Sequence, residues 1–108
     1  MKSLSSFKNS EIKTLFKTAR THVSLPGITI KVAPKQGDHG RILSVTPRKM
    51  GNAPERNLMR RRLKSIFYEQ KLYERPFDLL IFVTHPALAI RFSDLQELVV
   101  QAVHEDHQ

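Results

Sequence analysis

Hydrophobic residues along the chain follow two periods, and the change from one to the other predicts helices and strands. Apolar positions three and four residues apart predict three helices, over about 10–20, 54–72 and 93–104. Alternation with a period of two predicts a strand over 28–33, and residues 41–46 indicate a second strand. The continuous apolar run over 77–84 is typical of a third strand that is covered on both faces.

Capping and turn residues place the ends of these elements. Asn9 or Ser10 can cap the first helix. Pro54 suits the first turn of the second helix, and Ser93 begins a capping box at the third. Residues 37–40 form a turn between the first two strands, which predicts that these strands pair antiparallel.

The element order α-β-β-α-β-α predicts a single α+β domain over residues 1–108. Its small mixed sheet should pack against the helices, with a β-α-β unit formed by strand two, helix two and strand three. No repeat, low-complexity segment or linker indicates a second domain. Residues 1–8 and 105–108 are expected to be flexible ends.

The positive charge is concentrated in the middle of the chain. The 108 residues carry 18 Lys and Arg against 10 Asp and Glu, a formal net charge of +8. Residues 41–64 hold eight basic and one acidic side chain, whereas residues 65–108 hold three basic and seven acidic ones. A segregated basic segment is typical of a protein that binds a polyanion, although a charge run can also be a solvated face.

The second predicted helix favours the polyanion interpretation. Its core-facing stripe consists of Met59, Leu63, Ile66 and Phe67. A neighbouring stripe carries Asn57, Arg60, Arg61 and Lys64, with Arg56 at the border. Residues 56–64 contain five cations and no acid, whereas an ordinary surface helix mixes both signs. Because a membrane-bound helix would need a broad exposed apolar face, nucleic acid is favoured over a membrane.

Composition excludes several other classes of protein. The chain has no Cys, which excludes disulfides, thiol catalysis and Cys-based zinc sites. Its apolar runs are too short to cross a bilayer, and its first residues lack the apolar segment of a signal peptide. These features predict a small soluble protein of the cytoplasm.

Candidate catalytic and metal-binding groups are few. His104 and His107 lie in a polar tail, which favours a frayed end over a metal site. Asp78 opens the third strand, and we interpret it as a hydrogen-bond acceptor at the strand end, because no carboxylate or His is spaced to work with it. The residues alone therefore indicate a nucleic-acid-binding module, with no catalytic residue and no metal site of its own.

A short basic motif runs from the preceding loop into the second helix. It consists of RKMGNA at 48–53, Arg-Asn at 56–57 and Arg-Arg at 60–61. In this register the motif resembles the signature of the bacterial ribonuclease P protein component, and the chain length and the acid at the third strand agree. The chain departs from the family pattern at Ile12, Pro47, Leu58 and Ser65. Arg62 can partly replace the charge missing at Leu58, about 40° away on the helix.

The resemblance implies the protein subunit of a ribonucleoprotein hydrolase that removes the 5′ leader of precursor tRNA. The RNA subunit would be the catalyst and would use Mg²⁺, while the protein alone would hold no cofactor. The expected partners are that RNA and precursor tRNA, and neither DNA nor a membrane. The resemblance also implies a left-handed β-α-β crossover. A general RNA-binding module of the ribosomal-protein type is the alternative, since it would share the charge and the small fold.

The resemblance assigns candidate site residues in two groups. The RNA-binding group is Arg48, Lys49, Asn52, Arg56, Asn57, Arg60, Arg61, Arg62 and Lys64. The leader would lie in a cleft between the first helix and the sheet, where the candidates are Ile12, Phe16, Ile30 and Lys31. Phe16 could instead pack in the core.

Overall fold

The computed structural model describes residues 7–105, which form a four-stranded sheet with helices on both faces. The elements are α1 (Asn9–Thr18), β1 (Arg20–Leu25), β2 (Ile28–Pro34), β3 (Ile42–Val45), α2 (Ala53–Glu69), β4 (Phe77–Val83) and α3 (Phe92–Glu105). The connections contain short 3₁₀ helices at Arg48–Met50, Leu72–Glu74 and His85–Ala89. Most of the predicted flexible ends, and with them His107, lie outside the described residues.

The strand order is β1-β2-β4-β3, so the prediction that the strands at 28–33 and 41–46 pair with each other is wrong. β4 lies between them, antiparallel to β2 and parallel to β3. The apolar run of β4 explains this place, because an inner strand is covered on both faces. The connection passes the start of β4 at Gly40, where a Cβ atom would overlap the carbonyl oxygen of Phe77. β3, α2 and β4 form the predicted β-α-β unit, whose left-handedness stays a prediction.

β1 is a strand that the hydrophobic pattern does not predict. It pairs antiparallel with β2 at the edge of the sheet, and most of its residues are exposed. Pro26 and Gly27 make the turn between the two strands, and Gly27 adopts a φ of 96°, which favours glycine. An edge strand with little burial needs no apolar alternation, so its sequence carries no clear strand signal.

The sheet separates two hydrophobic clusters of unequal size. On one face, α2 and α3 cover alternate residues of β2 and β4 to form the main core. The predicted stripe of α2 is confirmed, since Met59, Leu63, Ile66 and Phe67 are all buried. On the other face, α1 contributes Leu15 to a small cluster with Ala33 and Leu80. A single short helix covers this second face, which leaves part of it open.

The helices lie where the sequence predicts them, and their ends differ by up to three residues. α1 begins directly after Lys8, whose N–H donates to the Glu11 Oε1 at 2.8 Å, so neither Asn9 nor Ser10 is the cap. α3 begins at Phe92, which places Ser93 inside the first turn rather than at the cap. Within residues 7–105, no helix is long and apolar enough to cross a membrane.

Candidate nucleic-acid interface

The basic helix α2 begins at a capping box that fixes its first turn. The Asn52 Oδ1 accepts a hydrogen bond from the Glu55 N–H, and the Glu55 Oε1 accepts one from the Asn52 N–H, both at 2.9 Å. Pro54 stands in the first turn, as the sequence predicts. The Asn52 side chain therefore has a structural role, which the Asn-x-x-Glu spacing could have shown. Its contact with RNA stays a prediction.

Arg60 is held in place by two neighbouring side chains. Its Nη1 donates to the Thr46 Oγ1 at 2.9 Å, and its Nη2 donates to the Asn57 Oδ1 at 3.0 Å. A guanidinium has five N–H donors, so these bonds orient the group and leave donors for an anion. The role of Thr46 has no signal in the sequence, because Thr46 directly follows β3 and only the tertiary fold brings it beside α2.

Four of the predicted RNA-binding residues line one shallow depression on α2. This depression has a volume of about 560 Å³ and is lined by Pro54, Asn57, Arg60, Arg61 and Lys64. Three of these side chains are cations, and their mutual repulsion is relieved when a polyanion lies among them. Guanidinium groups bind phosphate through paired hydrogen bonds. The depression therefore suits the phosphate backbone of a nucleic acid.

The other predicted RNA-binding residues do not line this depression. Arg48 and Lys49 are exposed on the 3₁₀ helix that precedes α2. Arg56 is half-buried, and its Nη1 donates to a carbonyl oxygen of the loop before α2 at 2.9 Å. Arg62 is also half-buried, whereas Leu58 is 38% exposed. These cations would add to the positive field around α2 from positions outside the depression.

A second candidate surface lies on the sheet face that α1 covers only in part. Phe16 of α1 is 47% exposed and meets Phe82 of β4 edge to face, with ring centroids 5.7 Å apart. The Lys31 Nζ lies 5.6 Å from the centroid of the Phe82 ring. Ile12 of α1 is half-buried. The fold thus brings an aromatic pair and a cation together, an arrangement on which bases can stack.

Ile30 does not belong to this second surface. It is fully buried in the main core, together with Ile28 and Val32 of the same strand. Neighbouring residues of a strand point to opposite faces, so Lys31 faces α1 while Ile30 faces α2 and α3. The prediction that Ile30 contacts the leader is therefore wrong. Phe82 was not among the predicted residues, because β4 is apolar almost throughout and its sequence does not show which of its residues face α1.

An ion pair fastens α1 beside this surface. The Arg41 Nη1 and Nη2 donate to the Glu11 Oε1 and Oε2 at 3.0 and 3.1 Å. The Arg41 guanidinium also lies 4.3 Å from the centroid of the Phe7 ring. The hydrogen bonds from Arg41, together with the N–H of Lys8, lower the pKa of Glu11 to about 2. An ionised Glu11 therefore helps to hold the first helix in position, together with the packing of Leu15.

Asp78 is a buried carboxyl at the start of β4. Its Oδ1 accepts a hydrogen bond from the Arg41 N–H at 2.9 Å, which confirms its interpretation as a strand-end acceptor. Burial raises the pKa of Asp78, against the N–H groups of Arg41 and Gln36, which lower it. Across residues 7–105, no three His, Cys, Asp or Glu side chains are grouped so that they could hold a metal ion.

Comparison with known proteins decides the family. The family model described as Ribonuclease P matches residues 2–105 of the chain. The chain belongs to the ribonuclease P protein family. No curated protein sequence gives a significant match to it.

Solved structures of ribonuclease P proteins share the fold of the chain. One from Staphylococcus aureus is 20% identical with a TM-score of 0.76, over 99% of this chain and 97% of that chain. A second S. aureus structure is 22% identical with a TM-score of 0.71, over 93% and 90%. One from Thermotoga maritima is 18% identical with a TM-score of 0.70, over 86% and 88%. The predicted α+β architecture is thereby confirmed.

The residues at two departures from the ribonuclease P signature make local hydrogen bonds in this chain. The Ser65 Oγ donates to the Glu69 Oε1 at 2.9 Å, within the last turns of α2. The Pro47 carbonyl oxygen accepts from the Met50 N–H at 3.0 Å and so closes the 3₁₀ helix that carries the basic dipeptide. The Ser65 side chain thus stabilises the last turns of α2, whereas the bond at position 47 uses the backbone and does not depend on proline.

Proposed function

We propose that the chain is the protein subunit of a bacterial ribonuclease P and binds the catalytic RNA subunit through α2. The observation that carries the proposal is the depression lined by Asn57, Arg60, Arg61 and Lys64, within a chain that matches the ribonuclease P family. Clustered cations with one oriented guanidinium suit RNA phosphates. They would also reduce the repulsion between the RNA subunit and precursor tRNA.

In this proposal the protein supplies binding and the RNA subunit supplies the chemistry. Mg²⁺ bound by the RNA would activate water and stabilise charge on the scissile phosphate, and no residue of the protein is proposed as its ligand. The cations of α2 would take over part of the charge screening that Mg²⁺ otherwise provides. The holoenzyme should therefore need less Mg²⁺ than the RNA alone. The reaction would take place in the cytoplasm, without a role for DNA or a membrane.

The second surface is proposed to bind the single-stranded 5′ leader. Phe16 is nearly half exposed, and with Phe82 it offers an aromatic platform beside the ammonium group of Lys31. Unpaired bases stack on such rings, with roughly 1–3 kcal/mol for each base. Ile12 lies half-buried on the same helix and would border the platform.

The proposal is tested by precursor-tRNA cleavage with the RNA subunit of ribonuclease P, in the presence and absence of this protein. At near-physiological salt and low Mg²⁺, the protein should raise the cleavage rate. The expected product has the mature 5′ end. A rate that does not change when the protein is added, over a range of Mg²⁺ concentrations, would refute the proposal.

The same assay separates the alternative of a ribosomal-type RNA-binding module. Such a module would bind structured RNA through the same cations, so it would show affinity for the RNA subunit without stimulating cleavage. A control with an unrelated folded RNA of equal length measures this general affinity. A ribonuclease P protein should bind its RNA subunit more tightly than the control RNA.

A third hypothesis is a nuclease that needs no RNA subunit. Asp78 is the carboxylate to test as its catalytic group. Since Asp78 is buried and bonded to the backbone of Arg41, Asp78→Asn should leave the cleavage step of the holoenzyme within about tenfold. Single-turnover cleavage is measured beside thermal melting. A thousandfold loss at an unchanged melting temperature, or cleavage by the protein without RNA, would assign the chemistry to the protein.

A further inference from the structure

The turn that carries Arg48 and Lys49 is held from a distant part of the chain by His85. The His85 Nδ1 lies 2.8 Å from the carbonyl oxygen of Met50, 35 positions earlier. A carbonyl oxygen can only accept a hydrogen bond, so Nδ1 carries a proton and donates it. Because Met50 joins this turn to the start of α2, the bond fixes the backbone between two groups of predicted RNA-binding cations.

The segment that carries His85 is held to the sheet by backbone contacts. The N–H of the preceding Thr84 donates to the carbonyl oxygen of Gly27 at 2.9 Å, which ties this segment to the turn between β1 and β2. The two segments are in such close contact that a Cβ at Gly27 would lie 2.7 Å from the Ala87 nitrogen. The 3₁₀ helix His85–Ala89 therefore presents the imidazole from a fixed position.

The turn itself has little internal support. Its closing hydrogen bonds run from the Met50 N–H to the Pro47 oxygen at 3.0 Å and from the Gly51 N–H to the Arg48 oxygen at 3.3 Å. A single 3₁₀ turn has poor hydrogen-bond geometry and is weak alone. The contact from outside the turn is therefore expected to decide its conformation.

A second side chain holds the next carbonyl group. The Arg56 Nη1 donates to the Gly51 oxygen at 2.9 Å, so the consecutive carbonyls of Met50 and Gly51 each accept from a side chain. The Met50 side chain is fully buried in the main core and anchors the junction between the turn and α2. With the backbone fixed at Met50 and Gly51, the direction of the Arg48 and Lys49 side chains is set relative to α2.

We propose that His85 is a positioning residue for RNA binding. It orients the turn with Arg48 and Lys49 so that these cations and those of the α2 depression reach one RNA molecule together. The inference rests on the proposed function, because it assumes that Arg48 and Lys49 contact RNA. His85 is exposed, so its replacement should not remove core packing.

The test is a double-mutant cycle on affinity for the ribonuclease P RNA subunit, at a salt concentration where every variant binds. His85→Ala should weaken binding about threefold to tenfold, the range expected for one lost hydrogen bond. His85→Asn, whose amide can donate from the place of Nδ1, should restore affinity to within about twofold. In a protein that also carries Arg48→Ala and Lys49→Ala, His85→Ala should have no further effect. In an Arg61→Ala background, its full effect should remain.

Hydrogen exchange gives a readout of the turn without RNA. The Gly51 amide should exchange faster in His85→Ala than in the unmodified protein, and the melting temperature should fall by no more than the few degrees expected for one lost hydrogen bond. An equal loss of affinity with and without Arg48 and Lys49 would overturn the inference, as would a failure of His85→Asn to restore binding. If the RNA subunit binds no better than an unrelated RNA, the proposed function fails, and the same cycle on the unrelated RNA still decides the role of His85.

Discussion

The two candidate RNA surfaces of this protein are built in different ways. The depression on α2 contains three cations, and one of them, the Arg60 guanidinium, is oriented by Thr46 after β3 and by Asn57 of α2. The face beside α1 presents an aromatic pair with a single lysine and depends on the docking of one short helix. Charge should therefore dominate binding at α2, whereas stacking and helix position should dominate at α1.

The largest effect is expected when charge is removed from α2. The combined Arg60→Ala and Arg61→Ala change should weaken binding of the RNA subunit about a hundredfold, at about 1.5 kcal/mol for each charge-assisted contact. The slope of log affinity against log salt should fall in magnitude by roughly 0.7–0.9 for each lost phosphate contact. Binding is measured by titration at several salt concentrations.

A matched control for this change is Arg20→Ala with Arg91→Ala, which removes the same charge from exposed positions outside α2. The control should retain the salt slope of the unmodified protein. Equal slopes for all three proteins would show that the cations of α2 are a solvated face, and the contrast between the two surfaces would be lost.

A smaller effect is expected at the aromatic platform. Phe16→Ala should weaken binding of leader-containing precursor tRNA by about 1–3 kcal/mol for one stacked base and leave affinity for the RNA subunit unchanged. Phe92→Ala on α3, which also removes a partly exposed ring, is the control. Equal losses for the two variants would mean that Phe16 does not contact the leader.

A still smaller effect should follow when the orientation of Arg60 is loosened. Thr46→Val keeps the shape of the side chain and removes the oxygen that accepts from the Arg60 Nη1. The expected loss of RNA-subunit affinity is about fivefold, as for about 1 kcal/mol of hydrogen bonding. Thr46→Ser restores the acceptor and should restore the affinity. If serine and valine behave alike, Arg60 needs no orientation from Thr46.

The docking of α1 gives the smallest effect, and it depends on pH. Because the folded-state pKa of Glu11 is lowered from 4.5 to about 2, ionised Glu11 adds stability above pH 4.5. That contribution is lost as the pH falls from 4.5 to about 2. The difference in free energy of unfolding between the unmodified protein and Glu11→Gln should therefore narrow over this range, which urea unfolding at several pH values can measure.

The pKa of Asp78 is shifted in the opposite direction from that of Glu11, so Asp78 changes stability with pH in the opposite way. Its pKa is raised above 3.8, so its contribution to stability grows as the pH falls toward that value. It is present in both proteins, so its contribution cancels in their difference, apart from the small part of the Asp78 shift that comes from the charge of Glu11. If the difference in free energy of unfolding stays constant from pH 6 to pH 2, the ion pair between Glu11 and Arg41 adds no stability to the fold.

The depression on α2 could be predicted from the sequence to a large extent. The positions of Asn57, Arg60, Arg61 and Lys64 on one stripe follow from the helical period, which is a local property. The same period placed the core stripe of α2 correctly. What it could not give is the partner of Arg60 across the fold, because Thr46 follows another element.

The second surface, beside α1, could be predicted only in part, since it depends on the pairing of strands that are distant in the sequence. The turn at 37–40 suggested a hairpin, yet β4 lies between the two strands, and β1 carries no apolar alternation that would reveal it. Ile30 and Lys31 were both candidates, because the sequence does not say which side of β2 faces α1, and only Lys31 lies on that side. The ion pair between Glu11 and Arg41 spans 30 positions and has no local signal.

Whether the two surfaces bind different RNAs can be measured in one assembled enzyme. Holoenzyme is formed at saturating protein, and its affinity for precursor tRNA with a full leader is divided by its affinity for mature tRNA. Phe16→Ala should lower this ratio. The combined Arg60→Ala and Arg61→Ala change should lower the affinity for the RNA subunit and leave the ratio intact, because any loss of tRNA affinity is shared by both substrates. If both variants lower the ratio by the same factor, the protein has one RNA surface, and the assignment of the leader to the α1 face is wrong.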